Sequence, residues 1–366
     1  MSGSSISFYE TVLRLQENSL PFEVLELDNQ AKVIIMQQGG RIIGPFFNES
    51  KSIIWMHPAW SNASSWSKFL SDKNWNIGGE RVWIAPEIQF CIQDRCNPAQ
   101  SYSLPKAMDP ANYLLTRSHT QTIHLSTDMI LDTFNYTTLQ QQLTIERTIS
   151  PAVNPLHQFK SSEQLNEMVE YCGYTHTITL KTPPFPTVIS ETWDLMQIRQ
   201  GGTVILPLMG KPPIGWYYRP KSNSCMHIKD SVSAVFMQPE NLFKFGIPAA
   251  YCSGRVGYLY HEEDSITWSL LIRSYFVNPS GIYSEEPFDS SGDSGYAFHL
   301  YNSGDTSNRF GELECQGEAI GTDLENTQSS DKMLTWFHQG NLSSLIKIAS
   351  ILLHMPKKQL HAIWPQ

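Results

Sequence analysis

The chain is short of charge, and shortest of positive charge. Only 17% of its 366 residues are Asp, Glu, Lys or Arg, and 26 Lys and Arg face 35 Asp and Glu. No stretch gathers lysines and arginines into a patch, so a duplex nucleic-acid partner is not expected. The net charge of −9 suits a neutral or cationic small ligand, or an anionic one held by local arginines. No apolar run reaches ~18 residues, so no membrane span is expected. Residues Met1 to Ser5 carry no basic region leading into an apolar stretch. A signal peptide is therefore not expected, and the expected location is the cytoplasm. The six cysteines form no CxxC. Cys91 and Cys96 are near enough to pair, but their spacing matches no metal site, and reduced thiols are the expectation. Sequons at Asn48, Asn62, Asn135 and Asn341 then carry no glycan. The chain also has no Gly-x-Ser-x-Gly, no Walker loop, no glycine-rich nucleotide fingerprint after a strand, and no His/Cys/carboxylate set at metal spacing.

What the chain does have is 11% aromatics, 22 glycines and 22 prolines, a composition of strands and turns rather than helix bundles. Strands are expected at 22–27, 32–36, 41–47, 122–133, 138–149, 175–181, 202–208, 232–236, 249–260, 265–276, 296–302 and 310–317, with a further apolar run at 52–56. Helices are expected at 8–17, 156–169, 331–338 and 342–355. Residues 62–76 and 90–115 read as long loops. No composition break marks a linker, so the whole of 1–366 is expected to be one large β domain with edge helices.

Two segments and three further residues carry candidate chemistry. Gly78-Gly-Glu-Arg-Val-Trp-Ile-Ala-Pro-Glu87 combines two glycines, which can turn tightly or approach a ligand closely, with Arg81, Trp83 and Glu87. A guanidinium fork and a flat aromatic face are the equipment of sugar recognition, though the same run reads equally as a hairpin and a core strand. Phe310-Gly-Glu-Leu-Glu-Cys-Gln316 places Glu312 and Glu314 two apart on a strand, hence on one face, with Leu313 and Cys315 on the other. Paired carboxyls can split their pKa values into an acid and a base, or form a solvated polar face. Trp193 lies on an extended segment, Lys244 stands two residues before Gly246, and His176 is the histidine best placed on a strand to face a cleft. Each of these has an ordinary structural alternative.

Taken in order, these motifs resemble the galactose mutarotase-like (aldose 1-epimerase) superfamily, most closely its uncharacterised bacterial branches. The resemblance runs from Gly78–Glu87 through Trp193–Gly202, Lys244-x-Gly246, Asp293-x-Gly295 and Phe310–Gly317, spanning about residues 20 to 320. It implies an all-β fold, the β-supersandwich of large antiparallel sheets, with a saccharide on one face and no cofactor. It implies Glu314 as general base, since Leu313-Glu-Cys-Gln316 looks like the family's Leu-Glu-x-Gln, with Arg81 binding substrate. The family's Asn-His-x-Tyr-Phe motif is absent. His176 or Glu312 is then the expected acid, and Trp83, Glu87, Trp193 and Lys244 are expected to line the sugar. The reading is a carbohydrate-binding protein and possible aldose epimerase. A non-catalytic sugar-binding module, a polysaccharide lyase-like enzyme and a ligand-free structural role stand beside it, and neither the sugar nor the oligomeric state is legible.

Overall fold

Ser7 opens the first helix, Phe8–Glu17, through a capping box: its hydroxyl accepts from Glu10 N, while the Glu10 carboxylate accepts from Ser7 N at 2.9 Å. The computed structural model describes residues 6–49, 51–119, 121–159, 165, 168–186, 188–229, 231–261, 266–305, 307–323 and 325–363. Among them run β1 (Phe22–Glu26), β2 (Lys32–Met36), β3 (Ile42–Phe46), β4 (Glu80–Ala85), β5 (Leu114–His119), β6 (Thr122–Asp132), β7 (Gln140–Pro151), β8 (Glu170–Lys181), β9 (Glu191–Arg199) and β10 (Thr203–Pro207). They are followed by β11 (Gly215–Tyr218), β12 (Met226–Lys229), β13 (Val232–Phe236), β14 (Phe243–Pro248), β15 (Arg255–His261), β16 (Trp268–Tyr275), β17 (Tyr296–Asn302), β18 (Phe310–Gln316) and β19 (Gln328–Gly340).

These strands form two large sheets in which the described pairings are antiparallel, as the all-β expectation required. One has nine strands in the order β1-β2-β3-β4-β9-β18-β17-β14-β11, and the other has ten in the order β12-β13-β10-β15-β16-β19-β8-β7-β6-β5. Alternate residues of the nine-stranded sheet, such as Val82, Met196, Leu313 and Phe298, share one buried cluster with Ile145, Ile178 and Leu271 of the ten-stranded sheet. The helix Leu342–Leu352 covers the other side of the ten-stranded sheet, packing Leu345 and Ile348 with Leu270, Ile272 and Trp336.

The structure corrects several local expectations. Residues 62–76 are not one long loop: Asn62 caps a helix at Ala63–Ser71 by accepting from Ser65 N at 2.8 Å, and Trp66 and Phe69 are buried three apart on it. Residues 331–338 are not helical. They lie within β19, where pairing with β8 and β16 on both sides overrides a weak helical pattern. The apolar run at 52–56 makes only isolated bridges. Of the helix expected at 156–169, Pro155–Gln158 is a 3₁₀ turn, and most of the remainder lies outside the described residues.

Beneath the C-terminal helix, His338 is fully buried, and neither ring nitrogen has a hydrogen-bond partner among the described residues. Burial pushes its pKa from 6.5 down to about 3. Above pH 6.5 the imidazole is neutral whether the chain is folded or unfolded, so His338 adds no pH dependence there. As pH falls from 6.5 toward 3, only the unfolded chain takes up the proton, and stability drops by about 1.4 kcal/mol per pH unit from this group. His338→Leu should flatten that part of the acid limb in urea unfolding between pH 6 and 4; an unchanged slope would remove His338 as its source.

Candidate functional site

The Gly-Gly pair that opens β4 is required by the protein's own backbone. Gly78 and Gly79 have φ of +101° and +85°, and a Cβ on either would come within 2.7 Å of the Trp55–Met56 backbone or 2.6 Å of the Ile42 carbonyl. The turn they make sets the register of β4 on β9, and from that register the site follows. Cross-strand neighbours in an antiparallel sheet share a face. One rung reads Arg81, Leu195, Glu314, His299, Gly246 across β4, β9, β18, β17 and β14. The next reads Gln197, Glu312, Tyr301, Lys244, and the one on the other side Trp83, Trp193, Gln316. Glu312 and Glu314 therefore share a face, with Leu313 and Cys315 turned into the core, as their spacing predicts.

Six of the eight residues picked from sequence converge here. Arg81 Nη2 lies 2.8 Å from Glu312 Oε1, which also accepts from Gln197 Nε2 at 3.0 Å. Lys244 Nζ lies 3.3 Å from Glu314 Oε2, 3.6 Å from Glu87 Oε2 and 4.4 Å above the Trp193 ring. The indole N–H of Trp193 donates to Glu314 at 2.9 Å. Arg81, Glu87, Trp193, Lys244, Glu312 and Glu314 are each at most 8% exposed.

The other two are placed differently. Trp83 is no open platform. Arg81 covers its face at 4.2 Å, Trp75 and Trp193 stand edge-on to it, and its indole N–H donates to Asp109, so it supports Arg81 from behind. His176 is not in the site. It lies on β8 of the ten-stranded sheet and points between the sheets, where Nδ1 donates to Glu80 Oε1 at 2.9 Å and Nε2 accepts from Arg147 at 2.9 Å. Glu80 immediately precedes Arg81, so one residue of register separates the two clusters onto opposite faces of β4.

Glu80, His176 and Asp194 have donor atoms within 4.8 Å of one another, which is close enough for a metal ion. Their chemistry is already committed. The His176 Nδ1 lone pair is lost to its proton, and the guanidinium of Arg273 sits 3.1 Å from Glu80 and 3.0 Å from Asp194, where a cation would be. Despite the burial that opposes it, Arg273 and His176 hold the Glu80 carboxyl well below its usual range.

Sequence reasoning missed four members of the site. His299 is Glu314's direct neighbour on β17 and is fully buried; Gln316 donates to its Nδ1 at 3.3 Å, and Nε2 faces the Tyr217 hydroxyl at 3.1 Å. Gly246 makes room for that ring, since a Cβ there would lie 2.9 Å from it. Burial, with the Lys244 charge, lowers the His299 pKa well below the ordinary value and leaves a neutral imidazole. Tyr217 lies 4.9 Å under Lys244. Glu285 accepts from Glu87 N at 2.6 Å, and Glu191 at the start of β9 accepts from Ser284 N and Glu285 N. The strand alternation around His299 and the Gly-Trp-Tyr-Tyr run were signals within reach. Glu285 had none, because a loop residue carries no periodicity.

Burial raises the Glu314 carboxyl to about 7, helped by Glu312 and Glu87 and opposed by Lys244 and the Trp193 hydrogen bond. Burial and neighbouring carboxyls likewise raise Glu87 and Glu285. Burial alone would lower Lys244, but Glu314, Glu87 and Glu285 reverse this and keep it an ammonium. Glu314 can therefore hold or release a proton near neutrality, the property general acid–base chemistry requires.

Two connecting segments roof this face. Arg95 on one holds the other, with Nε donating to the Phe288 carbonyl at 2.8 Å, Nη2 to that of Pro287 at 3.1 Å, and Nη1 lying 2.5 Å from Glu286. Phe288 in turn meets the Tyr217 ring. Two surface hollows, of about 530 and 450 Å³, lie elsewhere, one beside Gln37 and Lys106 and the other beside His227 and Phe236.

The chain is similar in structure to a putative aldose 1-epimerase from Escherichia coli K12 (10% identity, 87% of this chain and 99% of that one, TM-score 0.47). It is also similar to a galactose mutarotase-like protein from Lactobacillus casei ATCC 334 (10%, 87% and 100%, 0.46) and to the Slr1438 protein from Synechocystis sp. PCC 6803 (12%, 88% and 96%, 0.49). No curated protein matches it. One family model matches residues 7–363, and the chain belongs to that family, the family of unknown function DUF6786.

Proposed function

We propose that this face of the nine-stranded sheet binds a saccharide and moves a proton on it, as in aldose epimerisation. The observation that carries the reading is Glu314: a buried carboxyl raised to about 7 and bracketed by a lysine, an indole and a neutral histidine. Glu314 takes the proton from an anomeric hydroxyl. Lys244 stabilises the resulting charge. The Tyr217 hydroxyl, whose oxygen accepts from His299, supplies the donor toward the ring oxygen that sequence reasoning sought in His176. Arg81 orients the sugar through Nε and Nη1, which have no hydrogen-bond partner among the described residues. A ligand enters when the roof that Arg95 holds parts.

The binding-only module is the second reading, and near-complete enclosure of the site is the observation in its favour. A lyase acting on uronates fits less well, because Glu312 already takes part of the Arg81 fork a uronate carboxylate would need. A thermal-shift panel of aldoses, amino sugars, uronic acids and sugar phosphates tests the reading: a binder at about 100 times its Kd stabilises by about 2.7 kcal/mol. Faster anomerisation of that binder marks an enzyme, saturable binding without acceleration marks the module, and no shift with any sugar removes the saccharide reading.

A further inference from the structure

The charges on this face do not balance. Four carboxyl groups, on Glu87, Glu285, Glu312 and Glu314, crowd together, and among the described residues their ion-pair partners are two, Arg81 at Glu312 and Lys244 at Glu87 and Glu314. All six residues are buried, and buried charge without a partner is costly. A neutral sugar leaves the surplus uncompensated, and a sugar phosphate or uronate adds to the negative charge already there.

A second observation shows what is wanted instead. Glu285 Oε1 and Gln197 Oε1 are buried and accept no hydrogen bond among the described residues, although each side chain is anchored to the site through its other polar atom. Both atoms are acceptors. An ammonium group is a donor three times over and accepts nothing. The free Nε and Nη1 of Arg81 are donors and suit hydroxyl oxygens. These unpartnered acceptors and donors thus describe a ligand with one cationic donor group and several hydroxyls.

We propose that the ligand is an amino sugar with a free, protonated ammonium group, seated against Glu87 and Glu285 beside Glu314. This rests on the saccharide reading and narrows its substrate class.

The test is calorimetric titration of the full chain at pH 7 with D-glucosamine, D-galactosamine, D-glucose, N-acetyl-D-glucosamine and D-glucose 6-phosphate. At least one amino sugar should bind about ten-fold or more tighter than glucose, in keeping with a charge-assisted hydrogen bond in a buried site. N-acetylglucosamine keeps the nitrogen but loses the charge, and should lose the advantage. The phosphate should bind weakest. In Glu285→Gln the ratio of amino-sugar to glucose affinity should fall toward one. Neutral sugars binding as well as the amino sugars, a preference for the phosphate, or an unchanged ratio in Glu285→Gln each overturn the ammonium site and leave the saccharide reading standing. Failure of every sugar to bind the unaltered protein overturns both.

Discussion

Glu314→Gln lowers the anomerisation rate of the bound sugar by roughly a hundred- to ten-thousand-fold, the span of a single general acid–base residue. The substitution keeps the shape of the side chain and one acceptor for the Trp193 indole N–H, so sugar affinity should change far less than the rate. Polarimetry of a freshly dissolved aldose reads the rate directly. The pH profile is a second readout. With a carboxyl at about 7, the base form gains population as pH rises through neutrality, so the rate climbs across that range in the unaltered protein and is flat in the variant. An unchanged rate in Glu314→Gln takes the glutamate out of the reaction. A lost rate accompanied by equally lost binding would make it a binding residue instead.

Arg273→Met is expected to be the most damaging single change to the fold, at about 3–5 kcal/mol, because it leaves buried carboxyls without their cation. Arg273 stands on β16 of the ten-stranded sheet and reaches across to Glu80 and Asp194 of the nine-stranded one, while Nη1 donates to the Leu313 carbonyl at 3.3 Å. Urea unfolding measures the loss. Adding Glu80→Gln to Arg273→Met should recover part of it, since the surplus charge goes with the glutamate. If the two substitutions simply add, the pair is not coupled and the ion bridge is not what holds the sheets here.

Much of the fold was legible because strands announce themselves by period two. β2, β13 and β17 fall where apolar runs and turn residues place them, and the first helix falls at 8–17 as its apolar spacing predicts. Alternation also gave the shared face of Glu312 and Glu314. It failed where a local signal was weak and tertiary pairing strong. Residues 331–338 became strand because β8 and β16 flank them on both sides. The helix at Ala63–Ser71 was hidden by serines and tryptophans that read as loop until its buried Trp66 and Phe69 are seen three apart. His176 shows the limit most sharply. Its strand was read correctly, and its face was buried, but no sequence pattern says which sheet a strand joins.

The sequence by itself determined which residues alternate and which carry chemistry, because side-chain direction along a strand is a local property. It therefore marked Glu314, Glu312, Arg81, Trp193, Lys244 and Glu87 as candidates and put Glu312 and Glu314 on one face. Only the tertiary structure decided which faces meet. The order β4-β9-β18-β17-β14 brings residues more than two hundred positions apart onto one rung, and the roof encloses them so that a common carboxyl is raised to about 7. The same order sends His176 to the core and puts His299 beside Glu314. Burial and partner identity are properties of the assembled sheets, and they turn an ordinary glutamate into the proton carrier proposed here.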